Sequence, residues 1–221
     1  MAAAGINYFA VSSLEEALEV RKYLIDKPIL CLEPIDLDYI DDAINSNITI
    51  PIESLEYLEK LRKKDLYSKL KIHLKIDSGM RRLGFTNKED LKEAVEKINT
   101  TKKLYLEGIY SHFATSGITD SVWDKQVEEF LSITSTINIK EIPIVHFGRS
   151  LTLVNHPKLD FCNGIRLGII LYGFSQSKTF APTLKNKIRN IRMQWLQKKN
   201  KCSKTYLTND LNLKPIFSLY T

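Results

Sequence analysis

Cysteine is scarce in this sequence, and the few cysteines present form no recognisable pattern. Cys31, Cys162 and Cys202 are far apart, odd in number and without a CxxC spacing. This arrangement argues against a disulfide-stabilised scaffold and against a zinc site. It favours a reducing, cytoplasmic setting, and no metal site is expected.

Long apolar runs are also absent. No segment reaches the roughly eighteen apolar residues that a membrane-spanning helix needs. The first residues, "MAAAGINYFAVSS", contain no basic stretch of the kind that begins a secretory signal peptide. We therefore expect neither membrane insertion nor secretion.

Acidic residues are missing from one part of the chain. The formal net charge is +6, but residues 178–204 hold nine Lys or Arg and no Asp or Glu. The rest of the chain has a slight excess of acid. Apolar residues at helical spacing between these cations indicate an amphipathic helix with a solvated basic face. Binding of nucleic acid or an anionic membrane through residues 184–204 is the alternative, which we do not expect.

Strand-like and helical patterns alternate along the chain with short connections. This rhythm is typical of a parallel sheet covered by helices, and it predicts a (β/α)8 TIM-type barrel that lacks one strand-helix unit. A doubly wound open sheet is the alternative, but no Gly-rich phosphate loop follows the first strand. A barrel lacking a strand would expose two strand edges. The predicted strands are residues 8–11, 28–33, 48–52, 71–77, 104–113, 142–147 and 165–174.

The segment "KIHLKID" has ionisable residues on one face only. Alternation along a strand places His73, Lys75 and Asp77 on the face opposite Leu74 and Ile76. A solvated edge strand would explain this pattern. A barrel strand whose polar end points into an active site explains it better, because functional groups of such barrels collect at the carboxyl ends of the strands.

Four stretches together resemble one known family. "HLKIDSGMRRLGF", "EGIYSHFATS", "VHFGRSLTLVNHP" and "NGIRLGIILYG" are similar, in order and spacing, to the N-terminal barrel of alanine racemase. This resemblance implies a pyridoxal-phosphate (PLP) enzyme that interconverts L- and D-alanine and supplies D-alanine for peptidoglycan. It predicts a PLP-binding barrel over residues 1–177. Residues 178–221 would form a basic helical insertion and the stub of a linker to a C-terminal β-domain.

The resemblance also implies roles for individual residues in cofactor binding. Arg166 would contact the pyridine nitrogen and, as a permanent cation, leave that nitrogen unprotonated. Ser150 would hold the phosphate together with the backbone amides of Gly168 and Ile169. Arg149, which precedes Ser150, stands where the family commonly has asparagine.

Three further residues would support the reaction. Arg82 would lie near the phenolic oxygen of the cofactor and the carboxylate of the substrate. His112 would lie beside the pyridine ring. Lys75 matches a lysine that is often carbamylated in this family, a change that turns a cation into an anion able to orient Arg82. His73 and His146 are interpreted as part of the barrel structure.

The family's Schiff-base lysine lies on its first barrel strand, and the tyrosine that acts as the second base lies in its C-terminal β-domain; neither has a match in this sequence. The resemblance thus implies a barrel that lacks the first strand-helix unit, with the C-terminal β-domain absent. We therefore expect a chain truncated at both ends that does not racemise alanine by itself. A homodimer, a full-length homologue or an N-terminal half supplied separately would be its partner. The alternatives are a non-catalytic PLP-binding protein or pseudo-subunit, and an enzyme of the same class that acts on serine.

Overall fold

Eight parallel strands close into a barrel in the computed structural model, which describes residues 8–23, 26–114, 120–168 and 214–218. Each strand pairs with the next one along the chain, and β8 pairs with both β7 and β1. The strands are β1 Tyr8–Val11, β2 Ile29–Cys31, β3 Ile48–Ile52, β4 Leu70–Lys75, β5 Leu104–Tyr110, β6 Ile144–Arg149, β7 Gly164–Leu167 and β8 Lys214–Ser218.

Helices follow the strands and cover the outside of the barrel. Their first turns are capped as the sequence requires: the Ser54 and Asn87 side chains accept hydrogen bonds from the backbone N–H groups of Tyr57 and Asp90. Short 3₁₀ turns span Leu37–Tyr39, Thr134–Thr136 and Ile139–Glu141. The α-helices are α1 Leu14–Arg21, α2 Ile40–Asn45, α3 Leu55–Arg62, α4 Lys88–Thr100, α5 Asp120–Ile133 and α6 Ser150–Asn155.

The predicted TIM-type barrel is confirmed, and its seven predicted strands correspond to β1–β7. The expectation of two exposed strand edges was wrong, because β8 pairs with the outer strands on both sides of the gap. Five residues that were assigned to a linker stub thus form a barrel strand. Residues 178–213, which include the basic segment, lie outside the described ranges. The boundary between the barrel and the C-terminal segment at residue 177 therefore stays a prediction.

The apolar core lies mainly between the strands and the helices. Phe9 and Val11 point outward into a large buried cluster, whereas Tyr8 and Ala10 point into the barrel. Alternation along each strand produces this division. Within the described ranges no helix has the length and apolar character needed to cross a membrane.

The interior of the barrel contains a layer of polar side chains. His73 and His146 are fully buried there, as expected for residues of the barrel structure. Ile72 and His73 of β4 pair with Leu106 and Gly108 of β5, so Glu107 is the extra residue of a β-bulge. Because a bulge re-aims the side chain of the extra residue, Glu107 reaches the interior as well.

Candidate active site at the barrel mouth

The loop after β4 is folded around one carboxylate. Asp77 accepts hydrogen bonds from the backbone N–H groups of Gly79, Arg81 and Arg82 at 3.0, 2.9 and 2.7 Å. Arg81 has a φ of 56°, a left-handed conformation that is uncommon for a residue with a side chain. Asp77 therefore holds a tight turn that presents Arg82 at the rim of the barrel.

The same loop returns to the end of β4. The backbone N–H of Phe85 donates to the carbonyl of Lys75 at 2.8 Å, and the N–H of Asp77 donates to the carbonyl of Phe85 at 2.9 Å. Gly84, with a φ of 132°, permits this approach, since a Cβ atom there would lie 2.6 Å from the Asp77 nitrogen. An open cleft lies between this loop, Glu53 and helix α5.

Arg166 of β7 is fixed inside the mouth by several acceptors. It is only 3% exposed, and its guanidinium donates to His146 Nδ1 at 2.7 Å and to the Ser111 carbonyl at 2.6 Å. His112 Nδ1 lies 3.4 Å from the same guanidinium. The charge of Arg166 is thus buried, with its orientation set by the neighbouring strands.

His112 shows how positive this mouth is. Burial, followed by the charges of nearby cations, lowers the pKa of His112 to about 3, so the ring is neutral at physiological pH. The contributing cations come from β7, from β6 and from β4 with its following loop: Arg166, Arg149, Lys75 and Arg82. A cluster of this kind attracts an anionic ligand.

Lys75 ends β4 and is only 5% exposed. Burial, together with the charges of Arg82 and Arg166, lowers its pKa to about 8, although Glu33 and Glu53 act in the opposite direction. A lysine with such a pKa has an appreciable fraction of free amine near neutral pH.

The residues that follow β6 and β7 meet through one hydrogen bond. The backbone N–H of Gly168 donates to Ser150 Oγ at 3.0 Å. Ser150 follows β6 directly, and Gly168 follows β7. Ile169, the third residue predicted to bind phosphate, lies outside the described residues.

Of the predicted site residues that the structure describes, Arg82 lies in the loop after β4 and the others lie at, or directly after, the carboxyl ends of strands. Sequence reasoning missed the contribution of Glu107, which reaches the interior through the bulge, and of Tyr8, whose hydroxyl donates to it at 2.6 Å. The glycine at position 108, inside a strand, is the one local signal for this bulge. Sequence reasoning also missed that Asp77 holds the loop that carries Arg82.

Comparison with known proteins gives a clear assignment. The sequence model of the family described as "Alanine racemase, N-terminal domain" matches residues 1–176. The chain belongs to the alanine racemase family. This match spans the barrel strands β1–β7 and every residue predicted at the mouth.

Individual relatives agree with the family assignment. An alanine racemase of Halalkalibacterium halodurans is 36% identical over 178 residues, which cover 79% of this chain and 46% of the relative. The crystal structure of alanine racemase from E. faecalis superposes with a TM-score of 0.70 at 32% identity, covering 77% of this chain and 47% of that one. The chain thus spans about half the length of the relatives it matches.

A racemase named for another amino acid has the same fold. The histidine racemase from Leuconostoc mesenteroides subsp. sake superposes with a TM-score of 0.71 at 27% identity, over 80% of this chain and 48% of that one. This barrel fold therefore occurs in racemases named for different amino acids.

Proposed function

We propose that this chain forms the PLP-binding barrel of a cytoplasmic amino-acid racemase that acts on alanine and supplies D-alanine for peptidoglycan. The observation that carries the proposal is the buried Arg166, held at the mouth by His146 and the Ser111 carbonyl. Alanine racemases among the solved and curated relatives support the assignment of substrate.

The residues at the mouth fit a phosphorylated, aromatic ligand. The cations whose charges lower the pKa of His112 supply the positive potential that a phosphate dianion needs. Ser150 and the amide of Gly168 would bind the phosphate. Arg166 would donate to the pyridine nitrogen, and His112 would lie beside the ring.

PLP supplies an electron-withdrawing ring that acidifies the Cα–H of a bound amino acid. Arg166 would limit this effect, because an arginine donates a hydrogen bond to the ring nitrogen without transferring its proton. A weaker electron sink suits a proton exchange at Cα and discourages side reactions. Arg82 would bind the substrate carboxylate, and a carbamate on Lys75 would orient Arg82.

Turnover requires a base on each face of Cα. Neither the family's Schiff-base lysine nor its tyrosine base has a match in these 221 residues. We therefore propose racemisation for an assembly of this barrel with a second chain, either a further copy, a full-length homologue or a separate N-terminal half. Alone, the chain would act as the cofactor-binding part.

Titration of the purified chain with PLP, pyridoxal and inorganic phosphate tests this proposal, with the fluorescence of the two tryptophans as the signal. We expect PLP to bind at least about tenfold more tightly than pyridoxal, since phosphate contacts are charge-assisted. Arg166→Met should weaken PLP binding, whereas the surface control Arg62→Met should not. Equal binding of PLP and pyridoxal, or an unchanged affinity in Arg166→Met, would contradict the proposal.

Deuterium exchange at Cα then separates a catalytic from a non-catalytic protein. The chain, alone and mixed with a full-length alanine racemase that lacks its own PLP-binding residues, is incubated in D₂O with alanine, serine and histidine. Deuterium exchange into alanine that occurs in the mixture, but not with the chain by itself, would support the proposal of a shared site. PLP binding without exchange under either condition would indicate a non-catalytic cofactor-binding protein.

A further inference from the structure

A continuous series of polar contacts crosses the inside of the barrel below the mouth. Arg166 contacts His146 Nδ1 at 2.7 Å, His146 Nε2 contacts His73 Nδ1 at 2.9 Å, and His73 Nε2 contacts Glu107 Oε2 at 3.4 Å. None of the four residues is exposed by more than a small fraction, and both imidazole rings are fully buried.

The direction of this chain follows from the chemistry of its first member. Arginine has only donors, so His146 Nδ1 must accept and carries no proton. A neutral His146 then has its proton on Nε2 and donates to His73 Nδ1. By the same reasoning, His73 has its proton on Nε2, which faces Glu107 Oε2 and the Tyr8 hydroxyl oxygen, each at 3.4 Å.

Both imidazoles are neutral in this arrangement. Burial lowers the pKa of His73, and burial together with the charges of Arg166 and His73 lowers that of His146. Protonation of either ring would also place two donors face to face, since each nitrogen that now accepts would carry a hydrogen. Arg166, His146 and His73 therefore form a one-way series of donors.

Glu107 is the acceptor that ends the series. Its Oε2 also accepts from the hydroxyls of Tyr8 at 2.6 Å and Thr49 at 3.0 Å. Burial alone would raise the pKa of Glu107, but the hydrogen bonds from His73 and Tyr8 lower it to about 2. Lys71 Nζ, 3.7 Å from Oε1, connects this carboxylate to the opposite end of the barrel.

We propose that Glu107 is a positioning residue for the cofactor: through His73 and His146 it fixes the orientation of Arg166 toward the ligand's ring nitrogen. Glu107 is separated from Arg166 by the two histidines of the series. It acts by supplying, at the far end of the series, a purely accepting group for the His73 Nε2 proton, which is the arrangement that the donors of Arg166 require at the near end. The ligand class is a phosphorylated pyridine, so this inference rests on the proposed function.

The tautomers are measured first, without any ligand. The sequence contains four histidines, so a two-dimensional spectrum of ¹⁵N-histidine-labelled protein is readily assigned by single substitutions. We expect His73 and His146 to be neutral at pH 7 and protonated at Nε2. A proton on Nδ1 of either ring, or a charged ring, would overturn the relay.

The effect on the ligand is measured with a matched pair: PLP, and its 1-deaza analogue, in which the ring nitrogen is replaced by CH. The ratio of the two dissociation constants reports on the contact with Arg166 alone. In the native chain PLP should bind about tenfold more tightly than the analogue, because the hydrogen bond has a charged donor. Glu107→Met should reduce this preference clearly, although the backbone carbonyls that also hold Arg166 remain, while the affinity for inorganic phosphate stays unchanged.

Glu107→Gln keeps the shape of the side chain and one acceptor but removes the charge, so it stays informative if Glu107→Met fails to fold. We expect it to reduce the preference for PLP to an intermediate value. The surface carboxylate variant Glu59→Gln is the control, and it should leave the preference intact. A preference unchanged in both Glu107 variants would overturn the inference.

The two proposals fail in different ways. If the native chain binds neither PLP nor its analogue, the proposed function and the positioning role of Glu107 fall together. If PLP binds and Arg166→Met abolishes the preference, but the Glu107 variants do not change it, only the inference about Glu107 falls.

Discussion

Gly108 lies directly against the imidazole of His73: a Cβ atom built at residue 108 would lie 2.5 Å from Cε1 and 2.6 Å from Nδ1 of that ring. His73 is wholly enclosed and cannot move aside without leaving its bond to His146. A single methyl group at position 108 would therefore displace the central member of the polar series.

Gly108→Ala should consequently destabilise the fold. Overpacking a well-filled interior typically costs 1–3 kcal/mol, and here a buried hydrogen bond is broken as well, so we expect a loss of about 3 kcal/mol. Urea unfolding measures the change. Gly148→Ala is the control, since its nearest contact, the flexible end of Ile165 at 3.1 Å, can adjust. Equal losses in the two variants would contradict the steric argument.

Asp77→Asn should loosen the turn that carries Arg82. The amide nitrogen of asparagine would face a backbone N–H in place of one carboxylate oxygen, leaving a donor without an acceptor. We expect the hydrogen-exchange protection of the Arg82 amide to fall at least about tenfold. Asp65→Asn, which changes an exposed carboxylate, should leave it unaltered. Unchanged protection in Asp77→Asn would show that the loop is held by other contacts.

Lys75 should form a carbamate with dissolved carbon dioxide. Only the free amine reacts, and a pKa of about 8 gives Lys75 far more free amine at pH 8 than a lysine with the ordinary value of 10.5 has. Incubation with ¹³C-bicarbonate should yield one carbamate signal in a ¹³C spectrum. The signal should disappear in Lys75→Arg and persist in Lys71→Arg. A spectrum without it, or one that survives Lys75→Arg, would contradict the prediction.

Acid should destabilise the barrel from about pH 6.5 downward. Burial lowers the pKa of His73 and His146, and that of His112 to about 3, below the value of 6.5 in the unfolded chain. Between these values the unfolded state binds protons that the folded state does not, so stability falls as pH falls. Each ring contributes up to about 1.4 kcal/mol per pH unit.

Glu107 extends the same trend to lower pH. Its pKa of about 2 is below the unfolded value of 4.5, so its contribution is complete above pH 4.5 and is lost as pH falls toward 2.

Urea midpoints at pH 7.5, 6.5 and 5.5 measure how steeply the free energy of unfolding falls with pH in the histidine range. His112→Gln should make this slope shallower by the contribution of one histidine. A free energy of unfolding that does not change between pH 6.5 and 5.5 would contradict the burial of neutral histidines.

Local patterns were sufficient for the seven strands β1–β7. These segments are short, apolar and separated by amphipathic helices, so periodicity and length identify them. Strand β8 could not be predicted from such local patterns. Lys214–Ser218 contains Pro215, which by itself favours a loop or a sheet edge, and its pairing with β1 and β7 is a long-range event.

The residues of the mouth were found by a different route. "HLKID" indicated a polar strand end, and the family resemblance added Arg166 and Ser150. The series behind them was not predictable, because the direction of its hydrogen bonds depends on which nitrogens face each other across the barrel. The bulge at Glu107 shifts side-chain direction by one residue, which alternation counted along "LYLEGIY" does not reveal.

The pairing of β8 with β1 has a consequence for the order in which the molecule assembles. The two strands are about two hundred residues apart in the chain, so they meet only after nearly all of this sequence has been synthesised. Until then no other described strand pairs with the free sides of β1 and β7, and the loop-closure entropy of pairing β1 with β8 is among the largest in the chain. Completion of the barrel is therefore a late event, and Arg166, whose strand lies at this seam, gains its last backbone neighbour only then.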